Sequence, residues 1–136
     1  MDKRAEILLV DDDEDVKRSA GKILKRLGYL VHFATDGAEG IRLYEKAMAE
    51  EQPFDIILMD LTIPGGMGGK EAIQKLLEID PGAKAIVSSG YSDDRVLSNF
   101  EEYGFCGAVT KPYRIDELAQ VIHGAVNDSD LLPSAT

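Results

Sequence analysis

Five short apolar runs, set apart by stretches with helical spacing, constrain this chain more than any other feature. They are "ILLV" at 7–10, "LVHFA" at 30–34, "DIILM" at 55–59, "AIVSS" at 85–89 and "GAVT" at 107–110. The first and third are nearly all apolar, without alternation. Strands covered on both faces read that way, as in a parallel sheet. Between the runs, Val16, Ala20, Ile23, Leu24 and Leu27 recur at helical spacing, and Gly28 follows as a stop. Ile73, Leu76 and Leu77 mark another apolar face, ended by Asp80-Pro81-Gly82. Val96, Phe100 and Tyr103 mark a third, ended by Gly104, and Leu118, Val121, Ile122 and Ala125 mark the last. Residues 36–50 carry a weaker helical pattern. Strand and helix thus alternate five times, which predicts an α/β fold: a five-stranded parallel sheet with five helices on its two faces.

A chain of 136 residues with 44% hydrophobic residues has material for one domain and one core. Fifteen basic against 25 acidic residues give a net charge of −10, which disfavours direct binding to nucleic acid. No apolar run approaches the roughly 18 residues of a membrane span, and the opening residues lack a signal-peptide pattern. These features point to a cytoplasmic protein. Cys106 is the single cysteine, so no internal disulfide is possible; beside an apolar run it reads as a small buried hydrophobe.

Open parallel sheets bind ligands beyond the carboxyl ends of their strands. Asp11, Asp12 and Asp13 follow the first strand, Asp60 ends the third, Ser89 and Gly90 end the fourth, and Lys111 and Pro112 follow the fifth. Taken singly, each has an ordinary explanation. Asp12 or Asp13 suits a helix cap, Ser89 can simply end its strand, and Lys111 can be a solvated charge. As a set they bring carboxylates, a hydroxyl and an amine to one edge. Two carboxylates about 4 Å apart repel by about 4 kcal/mol at an effective dielectric near 20. Clustered Asp11, Asp12 and Asp60 therefore call for raised pKa values or a cation. Oxygen-only ligands, few of them from protein, suit Mg²⁺. A divalent metal, a lysine and a hydroxyl together are organised to hold phosphoryl oxygens.

The run Gly65-Gly66-Met67-Gly68-Gly69 leads straight into Lys70 and invites comparison with a nucleotide-binding loop. Such a loop needs a glycine six residues before the lysine and Ser or Thr after it. Here those positions are Pro64 and Glu71, so the stretch reads as a flexible connection between the third strand and third helix.

With "LLVDDD", "LMDLTIP", "VSSGY" and "TKPY" in place, the chain resembles the receiver domain of two-component response regulators over residues 5–127. Residues 1–4 and 128–136 are then flexible tails or scars of a larger chain. The resemblance implies a flavodoxin-like fold with strand order 2-1-3-4-5. It implies that Asp60 accepts a phosphoryl group from a phosphohistidine of a histidine kinase or histidine phosphotransfer domain, within a phosphorelay. Asp12 and Asp60 would ligate Mg²⁺, Asp11 would act mainly through water, and the backbone carbonyl of Thr62 would complete the protein ligands. Ser89 would bond a phosphoryl oxygen and shift on activation. Lys111 would pair with the phosphate, and the Lys111–Pro112 bond would be cis. The "TIPGGMGGKEA" loop is most similar to receivers attached to hybrid sensor histidine kinases. Ala108 stands three residues before Lys111, where many receivers carry an aromatic switch residue, so switching is expected to centre on residues 89–103. Thr62 and Tyr91, each two past a site residue, sit where the family tunes hydrolysis of the acyl phosphate. His32 and His123 read as surface or core residues.

Two other functions use similar parts. A haloacid-dehalogenase-type hydrolase also forms a phospho-aspartate, but its nucleophile follows the first strand. A flavin-binding domain shares the fold, but its phosphate loop would face the acidic "DDDED". Turnover of a phosphate ester and the colour of the protein separate these from a phosphoacceptor switch, which catalyses only its own phosphorylation and dephosphorylation.

Overall fold

A computed structural model describes residues 5–90 and 95–135, with side chains described through 127. The strands are β1 (Glu6–Val10), β2 (Leu30–Ala34), β3 (Ile56–Asp60), β4 (Ala85–Ser89) and β5 (Gly107–Thr110). The helices are α1 (Glu14–Arg26), α2 (Gly37–Ala49), α3 (Gly69–Ile79), α4 (Arg95–Ser98), α5 (Phe100–Tyr103) and α6 (Ile115–Ala135). All strand pairs are parallel, in the order β2-β1-β3-β4-β5.

Residue alternation along the strands divides the core between two faces of the sheet. Leu8, Val10, Ile57, Met59, Ala85 and Val87 pack in one cluster with Tyr44 of α2, Ile73 and Leu76 of α3, and Val96 of α4. Ile7, Leu9, Ile56, Leu58, Ile86 and Val109 pack in the other with Ala20 and Leu24 of α1 and Leu118 and Ile122 of α6. The central strands β1, β3 and β4 are therefore buried on both sides, which explains their unbroken apolar sequence. β2 lies at the edge, and Leu30 and Phe33 there remain exposed.

Several local expectations change in three dimensions. The fourth helical pattern is divided into two single turns, because Asn99 between them leaves helical geometry at φ −122° and ψ 39°. The backbone of α6 runs on to Ala135, so residues 128–135, expected as a tail, continue the helix. No glycine stop follows Ala125 to end it at that point. The expected tail at 1–4 lies outside the described residues. Cys106 is exposed, not buried. It sits at the entrance to β5, where its backbone N–H donates to the Ala85 carbonyl at 2.8 Å and its side chain lies outside the core.

The glycine-rich connection is packed, not loose. The Gly69 N–H donates to the Leu61 carbonyl at 3.1 Å, and the Gly37 N–H at the start of α2 donates to the Met67 carbonyl at 2.8 Å. A Cβ on Gly68 would run into the Leu61 carbonyl oxygen, so glycine is required there for close backbone approach. Gly65 turns the chain at φ +77°. The connection thereby anchors the segment just after Asp60 against both α2 and α3.

Candidate functional site

Strand register brings the candidate residues together. Val10 pairs with Met59, Asp60 with Ser88, and Ser89 with Thr110. The residues that follow or end these strands therefore emerge side by side. They line a cleft of about 610 Å³ that includes Asp11, Asp12, Asp60, Thr62, Ser89 and Lys111.

Asp11, Asp60 and Ser89 are buried, with 1, 4 and 2% of their surface exposed, whereas Asp12 is exposed. Carboxylate oxygens of Asp11, Asp12 and Asp60 all lie within 4.8 Å of one another. The Lys111 ammonium reaches both buried acids, 2.9 Å from Asp11 Oδ2 and 3.1 Å from Asp60 Oδ1. Its own backbone N–H donates to the Ser89 carbonyl at 2.8 Å, and the Lys111–Pro112 peptide is cis. Asp13 serves the fold instead: it is the N-cap of α1, accepting from the N–H groups of Asp15 and Val16.

The electrostatics follow from this crowding. Burial, then the neighbouring Asp11 charge, pushes the Asp60 carboxyl up to about 6, against the opposing pull of Lys111 and of the Thr62 N–H. Burial works against the charged Lys111 ammonium, but its contacts with Asp11 and Asp60 outweigh that and hold its pKa above the usual lysine value. Three carboxylates facing one ammonium leave a net negative cleft. Its donors are all hard oxygens converging on one point, a set that fits a hard divalent cation and does not suit a soft metal.

The six residues expected at the site thus meet in one cleft. Tyr91 lies outside the described residues. His32 is on β2, paired with Glu6 at 3.0 Å and edge-on to Phe54, and His123 is exposed on α6 beside Asn127; neither lines the cleft. One pair escaped the sequence reading. Tyr113 donates its hydroxyl to Ser88 Oγ at 2.9 Å, one residue before Ser89. Ser88 precedes Ser89 in an equally polar dipeptide, and nothing in the sequence points the phenol toward it.

An open parallel α/β sheet with this edge defines a class: signalling domains switched by phosphorylation. Residues 7–123 match the family model described as response regulator receiver domain. The chain is similar to chemotaxis protein CheY of Thermotoga maritima, 32% identical over 86% of this chain and 93% of that protein. It is also similar to sensor kinase CckA of Brucella abortus, 29% identical over 93% of this chain, although it spans only 13% of that kinase. Among solved structures, a LuxR-family two-component response regulator from Aurantimonas superposes with a TM-score of 0.81 at 32% identity, covering 93% of this chain and 87% of that one. The chain belongs to the response regulator receiver domain family. Its role is signalling, not metabolic catalysis, and receiver domains interact with histidine kinases and phosphotransfer proteins. Among the described residues, no helix is long and apolar enough to cross a membrane.

Proposed function

We propose that this chain accepts a phosphoryl group on Asp60 from a phosphohistidine, in a Mg²⁺-dependent reaction, as one step of a cytoplasmic phosphorelay. The observation that carries the reading is the placement of Asp60. It ends a fully buried central strand, 3.1 Å from Lys111 and within 4.8 Å of two further carboxylates. The Asp60 carboxylate attacks phosphorus, and an O–P bond forms as the P–N bond to the donor imidazole breaks. The imidazole leaves with the bonding pair and takes up a proton. Lys111 keeps Asp60 ionised before attack and pairs with phosphoryl oxygen afterwards, and the Ser89 hydroxyl bonds a second oxygen.

Asp11, Asp12, Asp60 and the Thr62 backbone carbonyl are the groups that would hold Mg²⁺, Asp11 mainly through water. Bound there, the metal would supply positive charge to offset that of the phosphoryl oxygens. The donor partner in this reading is a histidine kinase or a histidine phosphotransfer domain. Similarity to CckA supports attachment to, or service of, a hybrid sensor kinase. Acetyl phosphate tests the reading without a cognate kinase. With Mg²⁺, intact mass should show one added phosphoryl group, abolished by a chelator. A chain that stays unmodified, or reacts equally well in chelator, contradicts the proposal.

A further inference from the structure

We propose that Tyr113 is a positioning residue for the phosphoryl-transfer site, acting through its hydrogen bond to Ser88; this rests on the reading of Asp60 as phosphoacceptor. Tyr113 lies two residues past Lys111, and Ser88 lies one residue before Ser89. Their 2.9 Å bond therefore joins the segment carrying the site's amine to the strand carrying its hydroxyl. A second tie joins the same two segments, from the Lys111 N–H to the Ser89 carbonyl at 2.8 Å. Two bonds at neighbouring positions fix rotation as well as distance, which one bond alone leaves free. The amine held this way must reach two acids at once, at 2.9 and 3.1 Å. Its long stem has many rotamers, and a fixed backbone limits which of them can reach both acids.

The surroundings favour this role. The Tyr113 ring packs beside the core formed by α1, α6 and the sheet, so its position does not depend on the hydroxyl alone. Ser88 is buried, at 1% exposure, and its partner is not exchanged readily for water. Burial first, then the charges of Asp11 and Asp60, raises the phenol pKa above its ordinary value, so the hydroxyl stays protonated and able to donate. Those same charges place Tyr113 within electrostatic reach of the reacting carboxylate. Phenylalanine would fill the same space without joining the two segments.

The test compares the wild-type chain with Tyr113→Phe, Ser88→Ala and the double variant. Phosphorylation by acetyl phosphate with saturating Mg²⁺ is followed by intact mass over a range of donor concentrations, well below each variant's melting temperature. Loss of one neutral hydrogen bond from the positioning of Lys111 should lower kcat roughly two- to tenfold, with KM for the donor unchanged. The double variant should be no slower than either single one, since both remove the same bond. A purely structural role would lower the melting temperature and leave kcat untouched. Wild-type kcat in folded Tyr113→Phe, or additive losses in the double variant, would overturn the inference. Failure of the wild-type chain to accept a phosphoryl group would instead defeat the reading of Asp60.

Discussion

At the floor of the cleft, the charged form of Asp60 costs the fold stability. Its carboxyl pKa is raised from 3.8 to about 6, by burial first and then by Asp11. A carboxyl whose folded value exceeds its unfolded value stabilises the fold below the unfolded pKa, and that contribution is lost as pH rises through the folded one. In chelator, stability should therefore fall between about pH 4 and pH 6. Asp60→Asn should raise the unfolding free energy at pH 7, read from urea denaturation, by on the order of 1–2 kcal/mol, after discounting for solvent screening at the open cleft, and give little gain near pH 3. An unchanged midpoint at pH 7 would mean that Asp60 is not under this pressure. Neighbouring acids divide their tasks. Asp13→Ala should cost about 1 kcal/mol as a lost helix cap and leave Mg²⁺ affinity intact. Asp12→Ala should weaken Mg²⁺ binding strongly without lowering the melting temperature in chelator, as isothermal titration and thermal melts would show. Lys111→Ala should fold but accept phosphoryl groups at least about tenfold more slowly, since a charge-assisted contact made at the reacting group is lost.

Among the elements, the connection from β3 to α3 separates two kinds of glycine. Gly68→Ala must push Leu61 aside and should cost about 2–3 kcal/mol. Gly65→Ala meets open space but holds φ at +77°, and should cost about 1 kcal/mol. Equal denaturation midpoints for the two variants would contradict the packed connection. Much of the scaffold was legible in sequence because its signals are local. "ILLV" and "DIILM" announce strands covered on both faces, and Asp60, Ser89 and Lys111 stand at strand ends where such sheets place ligands. What was not legible depends on distant partners. The glycine run reads as loose until Leu61 is seen against Gly68. Cys106 reads as buried until the entrance to β5 is placed with that side chain outside the core. The bond between Tyr113 and Ser88 spans 25 positions and has no signature in either segment.

Across the whole molecule, rigidity is distributed unevenly. β1, β3 and β4 are buried on both faces, whereas α4 and α5 are single turns divided at Asn99 and covered on one side only. Among the described residues, amide hydrogen exchange should be faster along 95–103 than along 56–60 or 85–89; comparable protection would contradict an easily rearranged segment. A phosphoryl group adds a charge of about −1.5 to −2 between Ser89 and Lys111, and the response we propose runs from Ser89 into this segment. Ala108 offers no ring to carry it along β5. All of this depends on the reaction occurring at Asp60, and chemical trapping tests that most directly. After reaction with acetyl phosphate and Mg²⁺, borohydride reduces an aspartyl phosphate to homoserine, which peptide mass mapping then locates. The account predicts a single homoserine, at position 60. Conversion at Asp11 or Asp12, or a phosphoryl group found on His32 or His123 with Asp60 unchanged, would contradict it.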